Sequence, residues 1–202
     1  MGLKHQAVSA RKWRVAIRRV QRHFPAHLPP LLFLTDPQRT PDPISIAKRL
    51  PRGTGIIYRH FGAPDRYQVA NALAKTCADQ KLILLVAADP DLARAVGAQG
   101  VHWPEARLLE ATKWRGRFTI QTASAHSRQA LARTARLGMD AALVSTVFTS
   151  NSPSAGVPIG PLKFRTRTRH TRVPVYALGG VRSDLAAQIA DTSGIAAIEG
   201  LS

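Results

Sequence analysis

Acidic residues, cysteines and long apolar runs are all scarce in this sequence. Twelve Asp and Glu stand against 29 Lys and Arg among 202 residues. The single cysteine, Cys77, excludes a disulfide framework and a cysteine-based metal site, and it suits a reducing compartment. No apolar run approaches the roughly 18 residues that a membrane-spanning helix requires, and residues 11–24 carry too many cations for the apolar region of a signal peptide. These absences predict a cytoplasmic protein without a membrane span.

The formal charge of +17 is concentrated in two acid-free stretches. Residues 1–35 hold seven Lys or Arg, and residues 163–172 hold five. The remaining chain has seventeen cations against twelve acids, so it is only mildly basic. Phe164 is the one aromatic residue in the second stretch, whereas base stacking on single-stranded nucleic acid requires interleaved aromatic rings. The pattern therefore argues against a nucleic-acid partner.

An amphipathic helix is predicted over residues 10–24. Its apolar positions, which recur at helical spacing, are Trp13, Ile17, Val20 and Phe24. Cations lie between them, so the outer face of this helix is basic. Packing of the apolar face against the rest of the protein, contact with nucleic acid or an anionic membrane, and an organelle-type presequence remain open. We assign residues 1–29 to a basic N-terminal extension and residues 30–202 to the barrel domain described next.

Eight short apolar or β-branched runs recur after residue 30 and predict β-strands. They are residues 31–35, 55–59, 82–86, 100–103, 118–122, 141–145, 173–178 and 195–199. Segments with helical spacing lie between them, at residues 42–50, 65–79, 89–97, 105–115, 126–138, 159–170 and 183–191. This regular alternation predicts an α/β fold, and eight repeats favour a closed (β/α)8 TIM barrel over an open doubly wound sheet.

The predicted barrel lacks its final helix, because the sequence ends at Ser202, three residues beyond the eighth strand. A barrel of this kind normally covers each strand with a helix, so one side of the wall would be open. The extra N-terminal amphipathic helix is one candidate to cover the gap. A partner subunit in a homodimer is the other.

A pair of glycines, Gly179 and Gly180, ends the seventh predicted strand. Phosphate in TIM barrels is commonly bound by backbone N–H groups after strands seven and eight, where a side chain would block its approach. Ser183 is the predicted N-cap of the next helix, and Gly200 leaves the backbone open after strand eight. The arrangement predicts a phosphate site, although a tight turn is a second explanation of the two glycines.

Six segments of the sequence resemble the family of thiamine-phosphate synthase and the thiazole tautomerase TenI. They are LFLTD at 32–36, GAQGVH at 97–102, SAH at 124–126, LGMDAALVSTVFTS at 137–150, PIGPL at 158–162 and VPVYALGG at 173–180. The resemblance implies a TIM barrel that acts in thiamine biosynthesis. The synthase of this family joins a pyrimidine pyrophosphate to a thiazole phosphate and releases pyrophosphate, with Mg²⁺ on carboxylates and cations around the leaving group.

Several metal and pyrophosphate positions of that family differ in this chain. After the second strand, Arg59 is kept, while a glutamine and a lysine are lost. After the third strand, the family's Asn-Asp pair falls on Ala87 and Ala88, which leaves Asp89 as a substitute ligand for Mg²⁺. The acidic motif after the fourth strand is shortened, and the lysine of the strand-six loop is missing. These losses affect the metal and the pyrophosphate more than the thiazole phosphate.

Three functions follow from the resemblance: a divergent synthase, a TenI-like tautomerase that needs no Mg²⁺, and a non-catalytic relative that binds a phosphorylated ligand. The predicted catalytic residues are His126, Ser124 and Arg59. The predicted residues for the ligand, a small phosphorylated heterocycle such as thiazole phosphate or thiamine phosphate, are Gly179, Gly180, Gly200, Ser150, Asn151, Ser152 and His102. In the tautomerase His126 would move a proton on the thiazole ring, but this histidine also stands where the next predicted helix begins.

Overall fold

A closed barrel of eight parallel strands, paired in sequence order, forms the centre of the molecule. A computed structural model describes residues 3–152 and 155–199, with side chains from residue 7 onward. The strands are Leu31–Leu34 (β1), Gly55–Tyr58 (β2), Ile83–Ala87 (β3), Gly100–Trp103 (β4), Ile120–Ser124 (β5), Ala141–Val144 (β6), Val175–Ala177 (β7) and Gly194–Ala197 (β8). The predicted TIM barrel is therefore confirmed, and the open sheet is wrong.

Helical segments connect the strands of the described chain. The α-helices are Leu3–Gln21 (α1), Pro43–Ala47 (α2), Arg66–Gln80 (α3), Pro90–Ala95 (α4), Arg128–Arg136 (α5) and Gly160–Thr168 (α6), and the 3₁₀ segments are Glu105–Trp114 and Ala186–Gln188. None of the helices in the described ranges is long and apolar enough to cross a membrane.

Two crossovers differ from their predicted helices. The predicted helix at residues 105–115 is instead the 3₁₀ segment Glu105–Trp114, at whose start the N–H of Arg107 donates to the carbonyl of Pro104 three residues earlier. Residues 183–191 form only one 3₁₀ turn. Ala186 and Ile189 are buried in the same apolar cluster as residues of α1, so α1 covers this side of the barrel.

The barrel interior is filled by apolar side chains and is closed at the N-terminal ends of the strands. Its interior cluster includes Leu32, Leu34, Ile57, Leu85, Leu143 and Tyr176. The hydroxyl of Tyr176 donates to the carbonyl of Pro29 at 2.6 Å, and its ring meets the edge of Phe24 at 5.0 Å between centroids. A ligand site in the barrel is therefore expected at the opposite end, where the strands reach their carboxyl termini.

Helix α1 packs on the barrel beside β8. Trp13, Ala16 and Val20 are 5%, 1% and 0% exposed and belong to the apolar cluster that also contains Ile195 of β8. Arg19 pairs with Asp191 in the turn that precedes β8. The helix runs from residue 3 to residue 21, so it starts earlier and ends earlier than predicted. Of the two candidates for covering the gap, the N-terminal helix does so within this chain.

Candidate functional site

A buried histidine bridges two hydroxyl groups at the carboxyl end of the barrel. His102 of β4 lies opposite Thr122 of β5 in the strand register. Its Nδ1 is 2.9 Å from Oγ1 of Thr122, and its Nε2 is 3.1 Å from Oγ of Ser124. The structure thus brings together the predicted residues His102 and Ser124. Thr122 was not predicted, although it shares a face with Ser124 because the two are separated by two positions along a strand.

The imidazole of His102 is held in its neutral form. It is 6% exposed, and burial, with a further contribution from the charge of Arg59, lowers its pKa to about 3. A neutral imidazole has one donor and one acceptor nitrogen, so one of the two hydroxyl groups accepts a hydrogen bond from the ring and the other donates a hydrogen bond to it. His102 therefore orients the hydroxyl of Ser124, which is only half-buried.

Arg59 is fixed after β2 by contacts with the end of β1. Its backbone N–H donates to Oγ1 of Thr35, and its Nε donates to the carbonyl of Thr35, both at 2.9 Å. Its Nη2 is 3.6 Å from Oδ2 of Asp36. Burial lowers the pKa of Arg59, while the charge of Asp36 acts in the opposite direction. The guanidinium is thus a positioned cation at the rim of the barrel, which is formed by the residues that follow the carboxyl ends of the strands.

Asp36 links Arg59 to a second arginine that the sequence did not single out. Nη2 of Arg39 donates to Oδ2 of Asp36 at 2.7 Å, and this hydrogen bond is the main cause that lowers the pKa of Asp36 to about 2. Arg39 also lies 3.8 Å from Glu199 after β8. Ion pairs of Arg39 therefore connect Asp36, which follows β1, with Glu199, which follows β8.

The two glycines after β7 are required by a close approach of the protein backbone. A Cβ on Gly180 would lie 2.1 Å from the carbonyl oxygen of Thr149, and one on Gly179 would lie 2.7 Å from Cγ2 of Thr146. Both residues have positive φ, at +93° for Gly179 and +63° for Gly180. Packing against the loop after β6 thus explains them without a ligand. Their amide N–H groups make no hydrogen bond to any described residue, so they remain able to bind an anion.

The other predicted phosphate contacts have mixed outcomes. Gly200 lies outside the described residues. Ser183 does not cap a helix, because only the 3₁₀ turn at Ala186–Gln188 follows, and its hydroxyl instead accepts from Ser9 of α1 at 3.1 Å. No helix dipole therefore supports an anion beside Gly180.

The loop after β6 continues past the two glycines into the predicted residues Ser150, Asn151 and Ser152. The backbone N–H of Ser152 donates to the hydroxyl of Ser150 at 3.3 Å, which forms a local turn. Asn151 is exposed. No described contact joins these three residues to His102 or Ser124, so their role in ligand binding stays a prediction.

His126 lies on the surface after β5, just before the helix that it was predicted to open. Ser127, not His126, is the N-cap of α5, with its side chain accepting from the N–H of Ala130. The backbone of His126 is anchored, since its N–H donates to Glu105 at 2.9 Å and its carbonyl accepts from Arg167 at 3.2 Å. Its ring is exposed. The structure does not bring this ring into contact with Ser124 or Arg59, so its catalytic role stays a prediction.

Comparison with known proteins places this chain among its relatives. A sequence profile of the family described as thiamine monophosphate synthase matches residues 31–201. The chain belongs to that family. It is 35% identical over 130 residues to the thiamine-phosphate synthase of Thioalkalivibrio sulfidiphilus, covering 62% of this chain and 61% of that protein. It is 30% identical over 174 residues to the thiamine-phosphate synthase of Alcanivorax borkumensis, covering 82% and 80%.

A solved structure shares the fold. The thiamine phosphate pyrophosphorylase from Pyrococcus furiosus superposes with a TM-score of 0.71 and 24% sequence identity, covering 83% of this chain and 84% of that protein.

Membership of the thiamine monophosphate synthase family implies Mg²⁺, but the residues at the β3 end do not fit this ion. Oδ1 of Asp89 accepts from the N–H of Leu92 as the N-cap of α4, and Oδ2 accepts from Arg66 at 2.5 Å. Glu105 accepts from the backbone N–H of His126, which follows β5, and from the guanidinium of Arg133 in α5. Three metal-ligating side chains do not come together anywhere in residues 7–152 and 155–199. The predicted role of Asp89 as a metal ligand is therefore not supported.

A groove of about 480 Å³ lies on the outer wall between α5 and α6 and not at the barrel mouth. It is lined by residues that include Arg128, Leu131, Ala135, Arg136, His170 and Arg172. The basic stretch at residues 163–172 thus forms one side of an outer groove rather than part of the rim that carries His102, Ser124 and Arg59.

Proposed function

We propose that this chain joins a pyrimidine pyrophosphate to a thiazole phosphate and releases pyrophosphate. The family supports this proposal, as do relatives named thiamine-phosphate synthase at about 30% identity. The observation that carries it is the polar arrangement at the barrel mouth, where His102 orients Ser124 and Arg59 is held as a cation. The reaction needs such a cation, because negative charge develops on the departing pyrophosphate.

The proposed reaction breaks one bond and forms another. The bond between the pyrimidine methylene carbon and the pyrophosphate oxygen breaks, and its electron pair leaves with pyrophosphate. The lone pair of the thiazole nitrogen then forms the new bond to the same carbon, so no proton has to move. In this scheme Arg59 stabilises the leaving group, Ser124 hydrogen-bonds the pyrimidine ring, and the amides of Gly179 and Gly180 bind the thiazole phosphate.

The test is an assay with both purified precursors, which measures thiamine phosphate and pyrophosphate together. Arg59→Gln should lower kcat about 100-fold, the loss typical of one charge-assisted contact to a transition state. Arg14→Gln removes an exposed arginine of α1 and should leave kcat unchanged. A folded wild-type protein that forms neither product would refute the proposal.

A TenI-like tautomerase is the second candidate, and the exposed ring of His126 favours it. His126 hydrogen-bonds the described residues through its backbone and is exposed, so its ring is accessible to a ligand. A tautomerase would convert its thiazole substrate in the presence of EDTA and lose activity in His126→Ala. A protein that is stabilised by thiazole phosphate but turns over in neither assay would be a binding relative.

A further inference from the structure

Two guanidinium groups cover the oxygen atoms at the carboxyl end of β3. Nη1 of Arg66 donates to Oδ2 of Asp89 at 2.5 Å, and Nη2 of Arg66 donates to the carbonyl of Ala87 at 3.4 Å. Nη1 of Arg107 donates to the carbonyl of Ala88 at 2.7 Å. Each of the three consecutive residues at this strand end therefore offers its oxygen to an arginine.

Both arginines are also fixed by contacts outside β3. Arg66 is the first residue of α3, its backbone carbonyl accepts from the hydroxyl of Tyr58 at 3.2 Å, and its guanidinium lies 5.7 Å from the ring centroid of Phe61. Arg107 lies 6.0 Å from the ring centroid of Trp103 and is bound through two nitrogens to Glu110. Arginines that are fixed in this way lose little freedom when they bind an anion.

The backbone of Ala88 has an unusual conformation at this strand end. Ala88 has φ of +56°, a left-handed conformation that alanine rarely adopts. Its N–H donates to the carbonyl of His102, and its carbonyl accepts from Nη1 of Arg107. The side chain of Ala88 is thus only a methyl group, at a sharply bent position of the rim where the family has a carboxylate. Arg107 contacts the carbonyl of this residue.

A divalent cation cannot share this strand end with the two arginines. Mg²⁺ requires near-octahedral oxygen ligands at about 2.0–2.1 Å. The oxygens at this place already accept from positively charged groups, and a third cation among them would be repelled.

We infer that Arg66 and Arg107 take the place of the metal, so that this rim binds the pyrophosphate group of its ligand by direct guanidinium contacts. This inference rests on the proposed function. A guanidinium has five N–H donors and matches phosphate oxygens in pairs. Arg66 donates two of its five in the structure, and its buried Nε has no partner among the described residues.

A second orphaned nitrogen lies on the same side of the rim. Nε2 of His60 is buried without a partner in the described chain, and its ring stacks on Tyr58 at 4.9 Å. Tyr58 in turn contacts Arg66 through its hydroxyl. Buried polar nitrogens without partners are rare in folded proteins. In the tautomer that carries its proton on Nε2, His60 is a further donor for the oxygen atoms of an anionic ligand on this side of the rim.

The experiment measures the binding of inorganic pyrophosphate to the full-length protein by calorimetry, once with EDTA and once with Mg²⁺. We expect the two Kd values to agree within about threefold, after correction for the complex between Mg²⁺ and free pyrophosphate. Arg66→Gln and Arg107→Gln should each weaken binding at least tenfold in EDTA. Arg94→Gln is the matched control, because Arg94 also lies over a tryptophan ring, at 5.9 Å from Trp114, but makes none of the hydrogen bonds by which Arg66 and Arg107 cover the β3 end.

Pyrophosphate that binds only with Mg²⁺, or not at all, would overturn the inference, as would unchanged affinity in both arginine variants. If Arg66→Gln does not fold, Arg66→Lys keeps the charge but loses paired donation, and the same loss of affinity is expected. Metal-independent binding without turnover would refute the synthase function and leave this inference standing. Turnover that requires Mg²⁺ would support the synthase function and overturn this inference.

Discussion

At the scale of single residues, the neighbours of a side chain decide its chemistry. His102 and His126 are the same residue type, but one is buried between two hydroxyl groups and the other is exposed at the start of a helix. Burial is the main cause that lowers the pKa of His102 to about 3, because a charged ring is poorly solvated inside the barrel, and the charge of Arg59 acts in the same direction. The neutral form is what allows this ring to orient Ser124.

The low pKa of His102 predicts how stability depends on pH. The unfolded protein binds a proton on this residue below about pH 6.5, while the folded protein does so only near pH 3. The contribution of neutral His102 to the free energy of unfolding is therefore fully present above about pH 6.5. It is lost as pH falls, at up to about 1.4 kcal/mol per pH unit. Between pH 6.5 and 4.5, above the range in which Asp36 titrates, we expect a loss of about 2 kcal/mol.

Urea unfolding across this pH range checks the prediction. His102→Gln should be less stable at pH 7 but should show a flatter dependence on pH. Thr122→Val removes a hydrogen bond and keeps the imidazole, so its slope should match that of the wild type. An unchanged slope in His102→Gln would contradict a neutral buried ring.

At the scale of elements, the barrel mouth depends on how closely neighbouring loops approach. The loop after β7 touches the loop after β6, and the amides of Val147 and Phe148 donate to the carbonyls of Leu178 and Gly179, both at 2.9 Å. This approach leaves no space for a side chain at Gly179 or Gly180. The two glycines thus shape the mouth first, and any phosphate binding by their amides depends on that shape.

Gly180→Ala should therefore disrupt the mouth more than a comparable glycine substitution elsewhere. Its Cβ would collide with the carbonyls of Thr149 and Phe148, which are backbone atoms that cannot rotate away. Gly62 has a similar φ of +70° with open space around it, so Gly62→Ala costs only the backbone strain of about 1 kcal/mol. We expect Gly180→Ala to lower the free energy of unfolding by about 2 kcal/mol more, as measured by urea unfolding. Equal losses in the two variants would show that the loops are not in close contact.

At the scale of the whole molecule, the N-terminal helix completes the barrel wall. Helix α1 buries its apolar face against the turn before β8, and its cations point outward, with Arg19 bound to Asp191. The basic stretch is thus the exposed side of a structural helix in this chain. Because the helix shares one apolar cluster with β7 and β8, it should unfold together with the barrel.

Two valines of α1 test this cooperative unit. Val20 is fully buried, whereas Val15 is 50% exposed. Val20→Ala should lower the free energy of unfolding by about 2 kcal/mol, while Val15→Ala should change it by less than about 0.5 kcal/mol. Both substitutions raise helix propensity equally, so the difference reports burial. Equal effects, or a separate early transition for α1, would contradict a shared core.

The sequence by itself determined the strands, the closed barrel and the family, because alternation of apolar runs and motif order are local properties of the chain. It also placed Ser124, His102 and Arg59 at the carboxyl ends of strands, which is the end that carries the rim. Only the tertiary structure decided the contacts between segments distant in sequence. Gly180 is required by Thr149, thirty-one residues away, and the oxygens of β3 are covered by Arg66 and Arg107, which approach from opposite sides along the chain. Such contacts depend on how the elements pack in space, and no periodicity of the sequence records that packing.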